Sequence, residues 1–181
     1  MYNNFIRSEK YYVKQQLPRS FELQGPSETF VKLPGLTLPF YHTQPLLYKI
    51  KFEGKCYSPH SKGIWLYLRL MIDDYLLYIN RLLPNTANRY QYIGEYQENH
   101  NNDHLGGFFW FSNSPSVIAC SFSDMIYLNP GLHVFDVGTR GGYLVGTFPT
   151  YVQAGVLTVE MIEYDQYADI GIKPMNTTFS G

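Results

Sequence analysis

The residues best equipped for chemistry crowd into one polar stretch, Glu98, Asn99, His100, Asn101, Asn102, Asp103 and His104. Imidazoles and carboxylates at such spacing are the side chains that bind zinc or carry protons. No third ligand from elsewhere in the chain joins His100 and His104, so the stretch reads as a solvated polar loop. Asp73 and Asp74 offer the oxygen ligands that hard cations take. Adjacent carboxylates in a strand point to opposite faces, which makes a tight turn the better reading. Glu160, Glu163 and Asp165 alternate with Met161 and Ile162 and read as a solvent face. Ser121, Ser123, Asp124 and His133 have the residue types of a hydrolytic triad but no Gly-x-Ser-x-Gly context. The glycines around Arg140 (Gly138, Gly141, Gly142) lack the strand-to-helix setting of a phosphate loop. They predict a hairpin turn in which Gly141 or Gly142 takes a positive φ and Arg140 sits at the tip as a contact residue. His42, His60, His100, His104 and His133 show no grouped His-x-His pattern for a metal inside a barrel. The residues point to no catalysis, no cofactor and no metal.

The elements that would carry these residues are strands. Apolar positions recur with period two and turn residues follow at short intervals, the pattern of a sandwich or barrel. Tyr48, Ile50 and Phe52 alternate with Lys49, Lys51 and Glu53. The run 63–72 has Ile64, Leu66, Leu68, Leu70 and Ile72 on one face and Trp65, Tyr67, Arg69 and Met71 on the other, which predicts a central strand covered on both sides. The stretch 84–107 is a polar excursion in which only Tyr90-Gln91-Tyr92-Ile93 reads as a strand. Tyr75 to Ile79, Phe108 to Phe111, 117–122, 132–137, 143–148 and 155–164 complete the set, with Asn129-Pro130-Gly131 as a turn. Pro18, Pro26, Pro34 and Pro39 exclude a long central strand from the first forty residues. The expected organisation is an N-terminal arm over 1–27, a β-sandwich over 28–164 and a C-terminal arm over 165–181.

Bulk composition narrows the partners. The 181-residue length suits one core. A net charge of −1 with only 16% charged residues supplies no field for a polyanion, so nucleic acid is not expected. Aromatic residues reach 17%, with 17 Tyr and 12 Phe, a surplus that suits both sheet surfaces and protein interfaces. Lys, Asp, Pro or Gly interrupts every apolar run, so no membrane insertion is expected, and Met1-Tyr2-Asn3-Asn4-Phe5, without a basic region and apolar run, is not expected to be a signal peptide. Cys56 and Cys120 lack metal spacing and read as two buried free thiols, with a disulfide between adjacent strands as the alternative in an oxidising compartment. Asn176-Thr177-Thr178 would be a glycosylation acceptor after secretion.

The segment Leu128-Asn129-Pro130-Gly131-Leu132-His133-Val134-Phe135-Asp136-Val137, followed by Gly155-Val156-Leu157-Thr158-Val159-Glu160, resembles the closing strands of tumour-necrosis-factor/C1q-like jelly rolls. The pair of strands around Tyr48 to Phe52 and Leu66 to Asp74 resembles the family's central hairpins, with Asp74 where that family has glycine. The resemblance implies an all-β, antiparallel jelly-roll β-sandwich of ten strands, trimerising through aromatic side chains and presenting loops for recognition. Viral capsid proteins use related jelly rolls, and no collagen-like stalk is present here.

Together these features lead us to expect a non-enzymatic structural or assembly protein whose partners are copies of itself and neighbouring chains, in a virion or outside the cell. The alternative is a recognition module for a glycan or receptor. Tyr90, Tyr92, His100, His104, Arg140 and Tyr143 are the expected contact residues, and Trp65, Trp110 and the Tyr90–Tyr92 pair have the rings to stack on sugars, although both tryptophans fit the core better.

Overall fold

The period-two pattern becomes two antiparallel sheets packed face to face. A computed structural model describes residues 6–92, 103–142, 148–164, 171–175 and 177. Twelve strands appear among them: β1 (Ile6–Gln15), β2 (Ser20–Leu23), β3 (Val31–Lys32), β4 (Leu38–His42), β5 (Leu46–Ser58), β6 (Ile64–Ile72), β7 (Tyr75–Tyr78), β8 (Arg81–Pro84), β9 (Phe108–Ser112), β10 (Ser116–Leu128), β11 (Gly131–Gly142) and β12 (Thr150–Tyr164). The first sheet runs β1-β12-β5-β10, with β2 beside the start of β12. The second runs β3-β11-β6-β7-β8, with β4 beside β11 and β9 beside β6. From β4 to β5, β5 to β6, β9 to β10, β10 to β11 and β11 to β12, each connection carries the chain to the other sheet, and the first strand lies beside the last. This is the wiring of a jelly roll.

Inward alternation fills the core. Tyr48, Ile50, Phe52, Phe122, Ile126, Leu157 and Val159 from the first sheet meet Leu66, Leu68, Leu70, Ile72, Phe135 and Val137 from the second. All are buried, and each such side chain contributes roughly 1.5–3 kcal/mol. The segment 155–164 lies in the interior of the first sheet, as its pattern predicts, because β12 pairs with β1 on one side and β5 on the other. The strand begins five residues earlier and bulges between Gln153 and Val156. Ala154 has φ 51° there, and the buried Gln16 repairs the ladder. Its amide donates to the Val152 carbonyl at 2.8 Å, and its Oε1 accepts from the Gly155 N–H at 3.0 Å. A Cβ on Gly155 would lie 2.8 Å from both Gln16 Oε1 and Phe52 Cε2, so the bulge requires glycine.

β6 is covered on both sides, as expected. Beyond its outer face Phe30, Tyr67, Met71, Leu76, Tyr78 and Leu83 form a second buried cluster. Asp73 and Asp74 make the turn to β7 with φ 52° and 70°, the pair of positive angles of a type I′ hairpin. Asp73 also accepts from the Val134 N–H at 2.8 Å and meets His133 Nδ1 at 2.9 Å. Its turn is thereby bonded to β11, and no cation is needed to explain it.

Several expectations are corrected. Part of the segment expected as an N-terminal arm supplies β1 and β2, both paired with β12. In the expected C-terminal arm, Met175 bonds back to β10 through its N–H and the Tyr127 carbonyl at 2.6 Å. Tyr90-Gln91-Tyr92 is not a strand but part of a 3₁₀ turn over Arg89–Tyr92; Ile93 lies outside the described residues. Gly141 and Gly142 do not turn the chain. They continue β11, and glycine is needed because a Cβ would meet the Gly25 carbonyl oxygen at 2.3 Å or the Tyr67 ring at 2.6 Å. The expected strand over 143–148 lies outside the described residues except for Phe148, and Asn176 lies outside them as well.

Cys56 and Cys120 are not free thiols but form a disulfide. The two face inward on neighbouring strands, where Cys56 is registered against Ile118 and Cys120 against Gly54, with Cα atoms 5.8 Å apart. That lies within the span a disulfide bridges. The bond closes a loop across a sequence separation of 64, so reduction or a Cys120→Ala exchange should lower unfolding free energy by about 4 kcal/mol. Urea denaturation with and without reductant measures it, and an unchanged midpoint would refute it.

Candidate functional site

The outer face of β6 and β11 presents Trp65, Tyr67 and Arg69 from one strand beside Gly138, Arg140 and Gly142 from the other. Against this face lie the described ends of the polar excursion, in which Arg89 and Asp103 are fully buried. Asp103 is the hub. One of its oxygens, Oδ2, accepts from Arg89 Nη2 at 2.8 Å, Arg140 Nε at 2.5 Å and the Tyr90 hydroxyl at 2.9 Å. Arg140 Nη2 also reaches that oxygen in a close contact. The other oxygen accepts a short bond from the Tyr78 hydroxyl and a long one, 3.4 Å, from Arg89 Nε.

The remaining donors go to the Tyr78 and Tyr90 hydroxyls, Arg89 Nε to the first at 2.9 Å and Arg89 Nη2 to the second at 2.7 Å, and to backbone carbonyls. Arg89 reaches the carbonyls of Glu28 and Thr86, the latter at 2.8 Å, and Arg140 reaches that of Ser27 at 2.9 Å. A third guanidinium, Arg69, has no carboxylate partner among these bonds; it donates to the carbonyls of Leu77, Leu105, Asp103 and Gly106 at 2.7–3.2 Å. Each guanidinium also lies over a tyrosine ring. Arg69 is 3.7 Å from the Tyr78 centroid, Arg140 4.4 Å from Tyr67 and Arg89 4.5 Å from Tyr90. Such stacking stabilises desolvated cations.

Burial pushes the Asp103 carboxyl up, but the guanidiniums of Arg140 and Arg89 and their hydrogen bonds more than reverse this and hold it below the usual carboxylate range. Burial lowers Arg69, against weaker support from Tyr78 and Asp103. Burial lifts the Tyr78 hydroxyl to about 12, so it donates as a neutral phenol. Asp103 and the guanidiniums of Arg89 and Arg140 are thus matched to one another.

One residue further on, His104 faces outward. Its ring stacks on Phe109 at 4.1 Å between centroids and lies 5.0 Å from Trp65, with Nε2 3.4 Å from the Tyr67 hydroxyl. Trp65 in turn lies 5.0 Å from Phe111. A single loop thus ties Asp103 into the protein and carries His104 to an aromatic shelf.

Four of the expected contact residues meet around this face, though not as a shared exposed surface. Tyr90 spends its hydroxyl on the hub, Tyr92 is half-buried against the second cluster, and Arg140 is fully buried in a strand instead of at a turn tip. His104 alone of the four faces the shelf; His100 and Tyr143 lie outside the described residues. Both tryptophans are half-buried instead of fully enclosed. In the sequence Asp103 is one member of a polar stretch and Arg89 has no distinguishing neighbours, so no local pattern marks either. Among the described residues no group of three or more His, Cys, Asp and Glu side chains is arranged to hold a metal ion.

No protein-family model matches the chain, and no curated protein matches it. Among solved structures it is similar to that of infectious bursal disease virus, Gx strain, at 9% identity and a TM-score of 0.48 over 90% of this chain. The chain spans 39% of the length of that protein. It is also similar to Eiger TNF from S. frugiperda, at 8% identity and a TM-score of 0.35 over 90% of this chain and 98% of the other. The globular domain of zebrafish complement 1qA follows at 9% identity and a TM-score of 0.36, covering 83% and 94%. At such identities no residue's role carries over.

Removing the charge at the hub tests its weight. Asp103→Asn leaves two buried guanidiniums without a counter-charge and should cost about 3–5 kcal/mol of stability. Because the folded carboxyl is held low, its contribution is present above the pKa of the unfolded carboxylate, near 3.9, and is lost as pH falls through the lower folded value. Denaturant titrations of both proteins across pH should show a constant gap near neutrality that narrows only in strong acid. A gap already closing at pH 6 would contradict this assignment.

Proposed function

We propose that the chain is a non-enzymatic structural module that self-associates through the outer face of its first sheet, within a larger assembly in a virion or outside the cell. The observation that carries this reading is the make-up of that face. Tyr11, Val13 and Met125 stand on it with exposures of 64%, 60% and 63%, and Tyr57 stacks on Tyr151 at 5.7 Å. Between them run Lys49 paired with Glu160 at 3.2 Å and Lys51 paired with Glu53 at 2.9 Å. Rows of alternating charge are self-complementary, so a second copy finds opposite charges opposite its own. Four strands of about ten residues span on the order of 600 Å², the scale of one side of a standard protein interface.

Two further features support it. His133 spends both ring nitrogens on Asp73 and the Asn129 carbonyl, each at 2.9 Å, which removes the best-placed histidine from base catalysis. The Cys56–Cys120 disulfide fits an oxidising environment.

The test is sedimentation velocity of the native chain over a hundredfold dilution, beside the double variant Tyr11→Glu/Val13→Glu. The native chain should sediment as an oligomer, with a trimer as the specific expectation, and the variant as a folded monomer. A native chain that stays monomeric at the highest concentration would refute the reading.

A further inference from the structure

We propose that the aromatic shelf of Trp65, His104, Phe109 and Phe111 is a binding site for a neutral carbohydrate. The shelf lies on the second sheet, away from the face assigned to self-association, and does not depend on that assignment. Register puts Trp65 of β6 directly opposite Phe111 of β9, and Tyr67 opposite Phe109. His104 drops onto Phe109 with only 17° between the ring planes. The outcome is a row of rings at a sheet edge, with Phe109 and Phe111 left 44% and 43% exposed.

Size argues for a small occupant. An aromatic side chain offers roughly 200 Å², so the open parts of the two phenylalanines amount to roughly 170 Å², and Trp65 adds a little more. A stable protein interface needs about 800 Å² per partner. One or two pyranose rings match the shelf; a folded protein surface does not.

Charge argues for a neutral one. The guanidiniums beneath the shelf are buried and committed to Asp103 or to backbone carbonyls. Burial lowers the pKa of His104, with Arg140 adding to this and Asp103 opposing it, so its ring is neutral near pH 7. Among the described residues of the shelf, nothing supplies a free cation for a sulfate or carboxylate. What remains are ring faces for the apolar C–H side of a sugar and, for its hydroxyls, the His104 imidazole, whose Nε2 already lies 3.4 Å from the Tyr67 hydroxyl. Flat rings beside a few polar groups are the usual furniture of a small-molecule site.

The experiment uses the full chain on an array of neutral gluco-, manno- and galacto-configured oligosaccharides, with sulfated and sialylated counterparts. Any ligand found is then titrated by tryptophan fluorescence against Phe109→Ala, Phe111→Ala and, as a control on another part of the sandwich, Tyr41→Ala. The expected result is binding to at least one neutral series, weakened tenfold or more by either phenylalanine exchange and unchanged by Tyr41→Ala. Three results would overturn the proposal: no signal above background, binding confined to the sulfated or sialylated sugars, or neutral binding that survives both phenylalanine exchanges. Oligomeric state followed on the same samples separates loss of this site from loss of self-association.

Discussion

A single buried carboxylate, Asp103, organises the outer half of this molecule. Two guanidiniums and two phenols converge on it from β7, β11 and the 3₁₀ turn. The same guanidiniums bind carbonyls of residues 27, 28 and 86. A buried ion pair is a weak source of net stability, because desolvation consumes most of its Coulomb energy. Its effect lies in what happens when one member leaves, since the charges left behind have nowhere to go. Residues 89–90 and 103, at the described ends of the excursion over 84–107, are therefore anchored by electrostatics, although the polar composition there reads as an exposed loop.

That anchoring explains why the two sheets have different surfaces. The first sheet keeps its outer face open, with lysine and glutamate paired among exposed Tyr11, Val13 and Met125. On the second sheet a cluster of Phe30, Tyr67, Met71, Leu76, Tyr78 and Leu83 covers much of the outer face, and at the β9 rim Phe109 and Phe111 emerge as exposed rings. Cations stacked on Tyr67, Tyr78 and Tyr90 lie inside this cover, so its positive charge is withheld from the surface. A chain with three buried arginines can thus present a neutral aromatic edge.

The sequence made the sandwich legible because burial on one face imposes period two, and β5, β6, β10 and β12 obey it closely. That Asp73-Asp74 makes a tight turn is readable from turn chemistry; its type I′ geometry is not. Other features failed for identifiable reasons. β1 reads Ile-Arg-Ser-Glu-Lys-Tyr-Tyr-Val-Lys-Gln, and as an edge strand with one inward ring, Tyr12, against the core it needs little alternation. Glycine meets two different demands, positive φ and close approach; those at 141 and 142 meet the second, and sequence does not separate the two. Asp103 joins Arg140 across 37 positions and Arg89 across 14, and no short motif encodes such a pairing. The disulfide depended on the register of β5 against β10, which alternation leaves free by steps of two residues.

The fastenings also have a consequence for association. The disulfide ties β5 to β10 in the first sheet, Gln16 clamps the β12 bulge to the end of β1, and the Asp103 hub holds the layer beneath the aromatic shelf. The outer face of the first sheet is thus built from strands already joined to one another, and its side chains are presented without ordering a loop. In the proposed association, binding a second copy would cost mainly translational and rotational freedom plus a few rotamers, and little backbone entropy. A rigid face of alternating charge with a few exposed rings converts modest contact area into association more efficiently than a mobile arm would. The strands that make the fold are for that reason also the part of the molecule best suited to assembly.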